Sequence, residues 1–296
     1  MPVTADDIQK AIVPLAAAFA GAFTAQNIAE RNRRREDVLK ELRSTNAAIS
    51  LAFAICNAGI ALKRQNIAPL RKQYDESKEA LLEFKRRRKA GEIPRDQPFE
   101  SEINARVLHV PKLDAGTLRA HVLDRINVAG RPLHLAVVLD DAATALTAMM
   151  EQRNQQVVEM QQAGGQQAAG FMNRYFGLPT EDGVDERYGN VLHAMADSVD
   201  DLIFFAQLLC KDLEQHGKRV LDRYPRRFFV FREAHLPRIQ QINFEKPTEQ
   251  GLVPGPQKYA DWLTAFVAPQ ATPSLWHRIR HPGSRREAKT PDWAKS

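Results

Sequence analysis

The feature that most constrains this chain is a charge-free run over residues 11–29, AIVPLAAAFAGAFTAQNIA, followed at once by the basic block ERNRRR. The run is about as long as a helix must be to cross the hydrocarbon core of a bilayer. Arg31, Arg33, Arg34 and Arg35 follow it, and the start, MPVTADDIQK, has balanced charge. A cleaved secretory signal has the opposite order, with its basic residues first. Basic residues favour the cytoplasmic flank of a span, so the order predicts one crossing with a short tail outside and the body in the cytoplasm. The run also contains Pro14, Gly21, Thr24, Gln26 and Asn27 and is only moderately apolar. A buried helix of a soluble bundle and an interfacial helix are therefore its rivals.

On a helical projection Ile8, Ile12, Leu15, Phe19 and Phe23 form a bulky stripe, while Ala17, Gly21 and Ala25 form a smooth one. Small residues at four-residue spacing let helix backbones approach closely in lipid, so Ala17, Gly21 and Ala25 are a candidate self-association face. A second charge-free run, STNAAISLAFAICNAGIAL, covers residues 44–62 and has basic residues on both sides. It reads either as a second span or as a buried helix. Its small residues, with Asn46, Ser50 and Asn57, suit tight packing and favour the buried helix.

The chain divides into an anchor at 1–29, long charged and apolar helices at 30–90, a connector with a short helix at 91–131, and two further helices within 132–225. A small packing segment at 226–268 and a basic, proline-dotted tail at 269–296, expected to be disordered, complete it. Thr4 with Asp7 starts the first helix near Ala5. Pro69 is expected to kink or break a helix near Ala68, and Tyr224-Pro225 to end another. Asp114 is expected to cap a short helix, and residues 106–110 and RFFVFR at 227–232 to form short strands. Residues 171–189 read as turn-rich, and QQAGGQQAAG at 161–170 as a flexible linker. Apolar positions recur at helical spacing through Ile67, Leu70, Tyr74, Leu81 and Phe84. They do so again through Leu135, Val138, Leu139, Ala142, Leu146, Met149 and Val157, and through Leu192, Met195, Val199, Ile203, Ala206, Cys210 and Leu213. Phe204 and Leu208 on the opposite side make that last helix apolar on two faces, which predicts a central position.

Candidate chemistry is sparse. His193, Asp197 and Asp201 share one helical face and could hold a metal ion, with Asp200 adjacent, but the carboxylate-rich second helix of a di-metal bundle is missing. Cys56 and Cys210 sit in apolar helices and read as small core residues. Gly164-Gly165 lies in a glutamine-rich linker and is no phosphate loop. A formal charge of +6 over 296 residues suits anionic partners, but basic and acidic residues are interspersed, which argues against nucleic acid. No catalytic residue and no cofactor is expected. The run 85–89 reads as a solvated helix terminus.

Residues 43–65, RSTNAAISLAFAICNAGIALKRQ, residues 201–213, DLIFFAQLLCKDL, and residues 259–263, YADWL, carry a resemblance. The chain resembles uncharacterised bacterial proteins with an Ala/Gly-rich membrane anchor, a charged helix and a helical body. That resemblance implies an inner-membrane location and no particular activity. The expectation is thus a mainly α protein, with an N-terminal transmembrane helix, a long-helix bundle or coiled-coil-like body and minor short strands. It acts as a scaffold that contacts the bilayer, an unidentified protein partner and copies of itself through anchor and bundle. The competing expectations are a membrane-disrupting effector inserting both 11–29 and 44–62, and a metal-binding bundle enzyme.

Overall fold

The computed structural model describes residues 5–162, 169–180, 183–227 and 237–266; for 5–20, Ala169, Thr180 and 224–227 only the backbone is described. The protein is mainly helical, and by contact it forms two units, Met1–Lys258 and Tyr259–Ser296.

The first unit begins with α1 (Ala5–Leu62), a single helix of 58 residues. It starts where the Thr4 and Asp7 signal places it, although Thr4 itself lies outside the described residues. Pro69 does not break the chain out of helix. A π-turn over Lys63–Ile67 joins α1 to α2 (Ala68–Lys89), and the Ala68 amide reaches back to the Lys63 carbonyl. Proline lacks an amide hydrogen and its ring crowds the carbonyl one turn earlier. Widening that turn by one residue relieves the conflict and keeps the chain helical.

After a connector come α3 (Ala115–Arg125), α4 (Arg131–Gln162) and α5 (Ala169–Phe176). Residues 171–176, expected to be turns, are therefore helical. Phe171, Tyr175 and Phe176 pack with Tyr74 and Tyr188 in one aromatic cluster, the Tyr175 and Tyr188 rings 4.6 Å apart. Asp114 occupies the N-cap position of α3, but its side chain makes no capping bond. A two-stranded hairpin pairs β1 (Pro179–Thr180) with β2 (Gly183–Val184). The expected strand at 106–110 is extended chain without a strand partner.

Then α6 (Arg187–Arg227) runs for 41 residues. Asp185 receives the Arg187 amide and both arms of its guanidinium at the entry, and this holds the Asp185 carboxyl below its usual range. The helix passes through Pro225 instead of ending at Tyr224-Pro225. Residues 228–232 of the expected strand, residues 163–168 of the linker and the tail 269–296 lie outside the described residues.

Three helices carry a three-four rhythm of buried positions, the pattern that keeps one seam facing a neighbour. In α1 it runs Leu42, Thr45, Ile49, Ala52, Cys56; in α4, Leu139, Ala143, Leu146, Met150, Arg153, Val157; in α6, Leu192, Met195, Val199, Leu202, Ala206, Leu209, Leu213. As its two apolar faces predict, α6 packs against both α1 and α4, while α3 bridges α1 and α4. Each fully buried Leu or Ile in these seams contributes about 1.5–3 kcal/mol through apolar area removed from water.

The register of α6 on α1 is set by three bonds. The Cys56 thiol donates to the Ile203 carbonyl at 3.7 Å, the Cys210 thiol to the Ile49 carbonyl at 3.8 Å, and His216 Nε2 lies 2.8 Å from Glu41 Oε1. The helices are therefore antiparallel.

Two extended straps close the body. Residues 104–108 lie on α4, where the Asn154 amide pairs with both the amide and the carbonyl of Leu108 at 2.8 and 2.7 Å. Gln161 donates to the Ala105 carbonyl at 2.8 Å. Residues 237–258, which include α7 (Glu245–Glu249), run along α1 in its own direction. Asn46 bonds the Arg238 carbonyl and the Gln240 amide, Phe53 meets Phe244, and Lys63 donates to the Leu252 carbonyl. Within the second unit α8 (Ala260–Thr264) is followed by a turn that sets the Trp262 and Phe266 rings 4.8 Å apart.

Candidate functional site

The described residues offer two candidate regions, both generated by the continuity of the helix from α1 into α2. The first is its N-terminal half. Residues 21–32 are exposed apart from half-buried Asn27, and Phe23 and Ile28 are 69% and 54% exposed. Burial resumes at Arg35, Val38 and Leu39 and is complete at Leu42. From Ala5 to Arg31 an α-helix rises roughly 40 Å, enough to cross a bilayer including part of its headgroup layers.

Of the basic block, Arg31, Arg33 and Arg34 are exposed and Arg35 is half-buried, with Arg34 paired to Glu30 one turn back. Of the small-residue face, Gly21 is open, with nothing within 4 Å of a Cβ placed there, and Ala25 is exposed. The side chain of Ala17 lies outside the described residues.

The second run, 44–62, is packed. Ala48, Ile49, Ala52 and Cys56 are fully buried within it. Among the described residues the helical stretch Gly21–Lys89 and α4 are each long and apolar enough to cross a membrane by length and composition.

The second region is a groove of about 420 Å³ where α2 parts from α6 after the π-turn. Ile67, Ala68, Ala196 and Val199 form its apolar floor, and Lys63, Arg71 and Asp75 are among the charged groups on its walls. Lys63 Nζ lies 2.7 Å from Asp200 Oδ1 while its aligned hydrogen bond goes to the Leu252 carbonyl. The expected metal face borders this groove. His193 Nδ1 meets the Gly189 carbonyl at 2.8 Å, and its Nε2 lies 3.4 Å from Asp75 on α2.

Asp197 and Asp201 face the other way, toward the Lys258 ammonium at 3.1 and 3.6 Å. Desolvation opposes that charge, but Asp197, Asp201 and Asp200 together hold the Lys258 pKa above its ordinary value. The three positions share a face of α6 yet serve two partners. Among the described residues no three His, Cys, Asp or Glu side chains converge on a point that could hold a metal.

Arg153 was not foreseen. It is fully buried at a seam position of α4. It donates to the carbonyls of Asn104 and Arg106, to the Asn154 amide oxygen and to the Tyr188 hydroxyl, while its Nε has no partner. The guanidinium is held by strap carbonyls and a phenol, so it orders the connector across the aromatic cluster. A break in the apolar rhythm of α4, with arginine between Met150 and Val157, was the available signal.

Both thiols are buried, and burial pushes Cys56 up to about 12 and Cys210 higher still, the behaviour of inert core cysteines. Arg131 and Asp212 form a two-pronged pair at 2.8 and 2.6 Å where α4 begins. No family model, curated protein or solved structure matches the chain.

Proposed function

We propose that the chain is a single-span, membrane-anchored scaffold of the bacterial inner membrane, its N-terminus outside and its helical bundle in the cytoplasm, working without catalysis. The observation that carries this reading is the projecting half of α1, an apolar helix that leaves the body uninterrupted and exposes Phe23 and Ile28. A lone helix with exposed apolar residues is stable in lipid or against a partner, and poorly so in water. The basic block where the helix joins the body supports the orientation.

The packed state of 44–62 favours one crossing over two, because a second insertion would strip Ile49, Ala52 and Cys56 from α6. The coiled-coil-like seams and the open groove beside the π-turn supply surfaces for a protein partner, and Gly21 with Ala25 supplies one for a second copy. Alkaline carbonate extraction of the full chain and of a chain starting at Glu30 tests the reading. The full chain stays with the membrane and the shortened one washes off. Release of both would return α1 to the role of a soluble helix.

A further inference from the structure

We infer that the end of the body from which α1 projects is a basic collar that docks on anionic lipid headgroups, and that Arg219 and Arg223 of α6 are part of it. The inference rests on the single-span reading and adds the headgroup chemistry to it. Continuing the antiparallel register of Cys56, Ile49 and Glu41 on Ile203, Cys210 and His216 brings Arg219 level with about Lys40, and Arg223 with about Glu36. The end of α6, Arg227, comes level with roughly Asn32.

Residues 30–43 of α1 carry six basic and four acidic side chains, and residues 218–227 of α6 carry five basic and one acidic. Together they hold a net excess of six positive charges, as large as that of the whole 296-residue chain. Charge interspersed in sequence is thus gathered by the fold at one end. The acids there are partly engaged: Glu30 pairs with Arg34, and Glu41 meets His216. Lys40, Arg43, Arg219 and Arg223 are exposed.

From Ala29, where the apolar run ends, to the level of Arg223 is roughly 10 Å of helix, about one screening length at physiological salt. Basic groups within that distance of an anionic leaflet each raise binding about fivefold. The other basic run, 85–89, lies beyond the π-turn at the far end of α2, where Arg86 and Arg87 pair with Glu83 and Glu92.

The test is partitioning of the full-length protein between neutral phosphatidylcholine vesicles and vesicles that also contain phosphatidylglycerol, read as the ratio of the two affinities. The wild type favours the anionic vesicles, the preference fades as salt rises, and Arg219→Gln with Arg223→Gln lowers the ratio at least about fivefold, the share owed to Arg223, which lies within one screening length. Helicity by circular dichroism controls for folding. A ratio near one, or one the double variant leaves unchanged, overturns the collar while stable binding to neutral vesicles leaves the anchor standing. Binding to neutral vesicles that carbonate releases would instead remove the anchor, with the ratio still readable. Tighter, Arg219- and Arg223-dependent binding to duplex DNA than to anionic vesicles would also overturn the proposal.

Discussion

Gly21 and Gly59 belong to one helix and meet opposite surroundings. A Cβ at Gly21 would find nothing within 4 Å, whereas one at Gly59 would sit 3.0 Å from Ile203 Cγ1 and 3.0 Å from Leu202 Cδ2. The same contrast runs through the neighbouring residues, with Phe23 exposed at one end and Ala52 fully buried at the other. Two runs that look alike in length and lack of charge therefore do different work. Residues 21–29 of the first are exposed apart from half-buried Asn27, and the second lets α6 approach.

The strongest challenge to that contrast is a carboxylate placed in each half. Ala52→Asp buries an unpaired charge in the α1–α6 seam and should cost on the order of 3–5 kcal/mol. Chemical denaturation of the full-length protein would show this as a large drop in midpoint. Phe23→Asp should leave that midpoint unchanged and lower membrane retention instead, since an aspartate within a span costs about 2.5–3.5 kcal/mol on insertion. If both variants lost stability equally, the two halves would not differ as described.

A leucine in place of each glycine gives a smaller and finer comparison. Gly59→Leu overpacks against Leu202 and Ile203, with an expected loss of about 1–3 kcal/mol. Gly21→Leu has room for its side chain and improves helix propensity by up to about 1 kcal/mol. The thermal melt of Gly59→Leu should fall while that of Gly21→Leu does not, and a fall in both would mean that Gly21 is enclosed.

Much of this contrast was legible beforehand because it rests on local patterns. The stripes of Ile67, Leu70, Tyr74 and Leu81, and of Leu192 through Leu213, appear where periodicity places them, as does the central position of α6. Lack of charge alone could not say that 44–62 is packed while 21–29 is exposed apart from Asn27, since a core helix and a lipid-facing helix need the same residues. The π-turn before Pro69 and the passage of α6 through Pro225 escaped because proline penalties can be absorbed by local rearrangement. The partners of His193, Asp197 and Asp201 escaped because Asp75 and Lys258 reach them only through the fold. Arg153 escaped because the Asn104 and Arg106 carbonyls and the Tyr188 hydroxyl reach it only through the fold.

The packed half also holds the second strap, and Asn46 measures that task. Its amide donates to the Arg238 carbonyl at 2.8 Å, and its carbonyl accepts from the Gln240 amide at 3.0 Å. Asn46→Ala should cost about 1–2 kcal/mol. The loss should appear mainly as faster hydrogen exchange at the Gln240 amide, with α6 still protected. Loss of protection throughout α6 would make the strap part of the core rather than a cover on it.

The boundary between the halves can be read through His216. Its Nε2 meets Glu41 Oε1 where α1 begins to be covered, and Arg219 and Arg223 lie on its own helix. A turn earlier Arg131 is neutralised by Asp212, and on α3 His121 meets the Ser44 carbonyl. Burial disfavours the imidazolium, Glu41 works against that, and the two arginines add to it, so the His216 pKa lies below its ordinary value of 6.5. The unfolded chain then takes up the proton first. The contribution to stability is complete above about pH 6.5 and falls as pH drops from there through the lower folded pKa. His216→Gln should flatten that part of the stability–pH curve, and Glu41→Gln should steepen it by removing the group that favours the charged form. Denaturation midpoints across this window decide the matter. An unchanged slope in His216→Gln would mean that the site is open to water and that the covered half of α1 begins closer to Ile49.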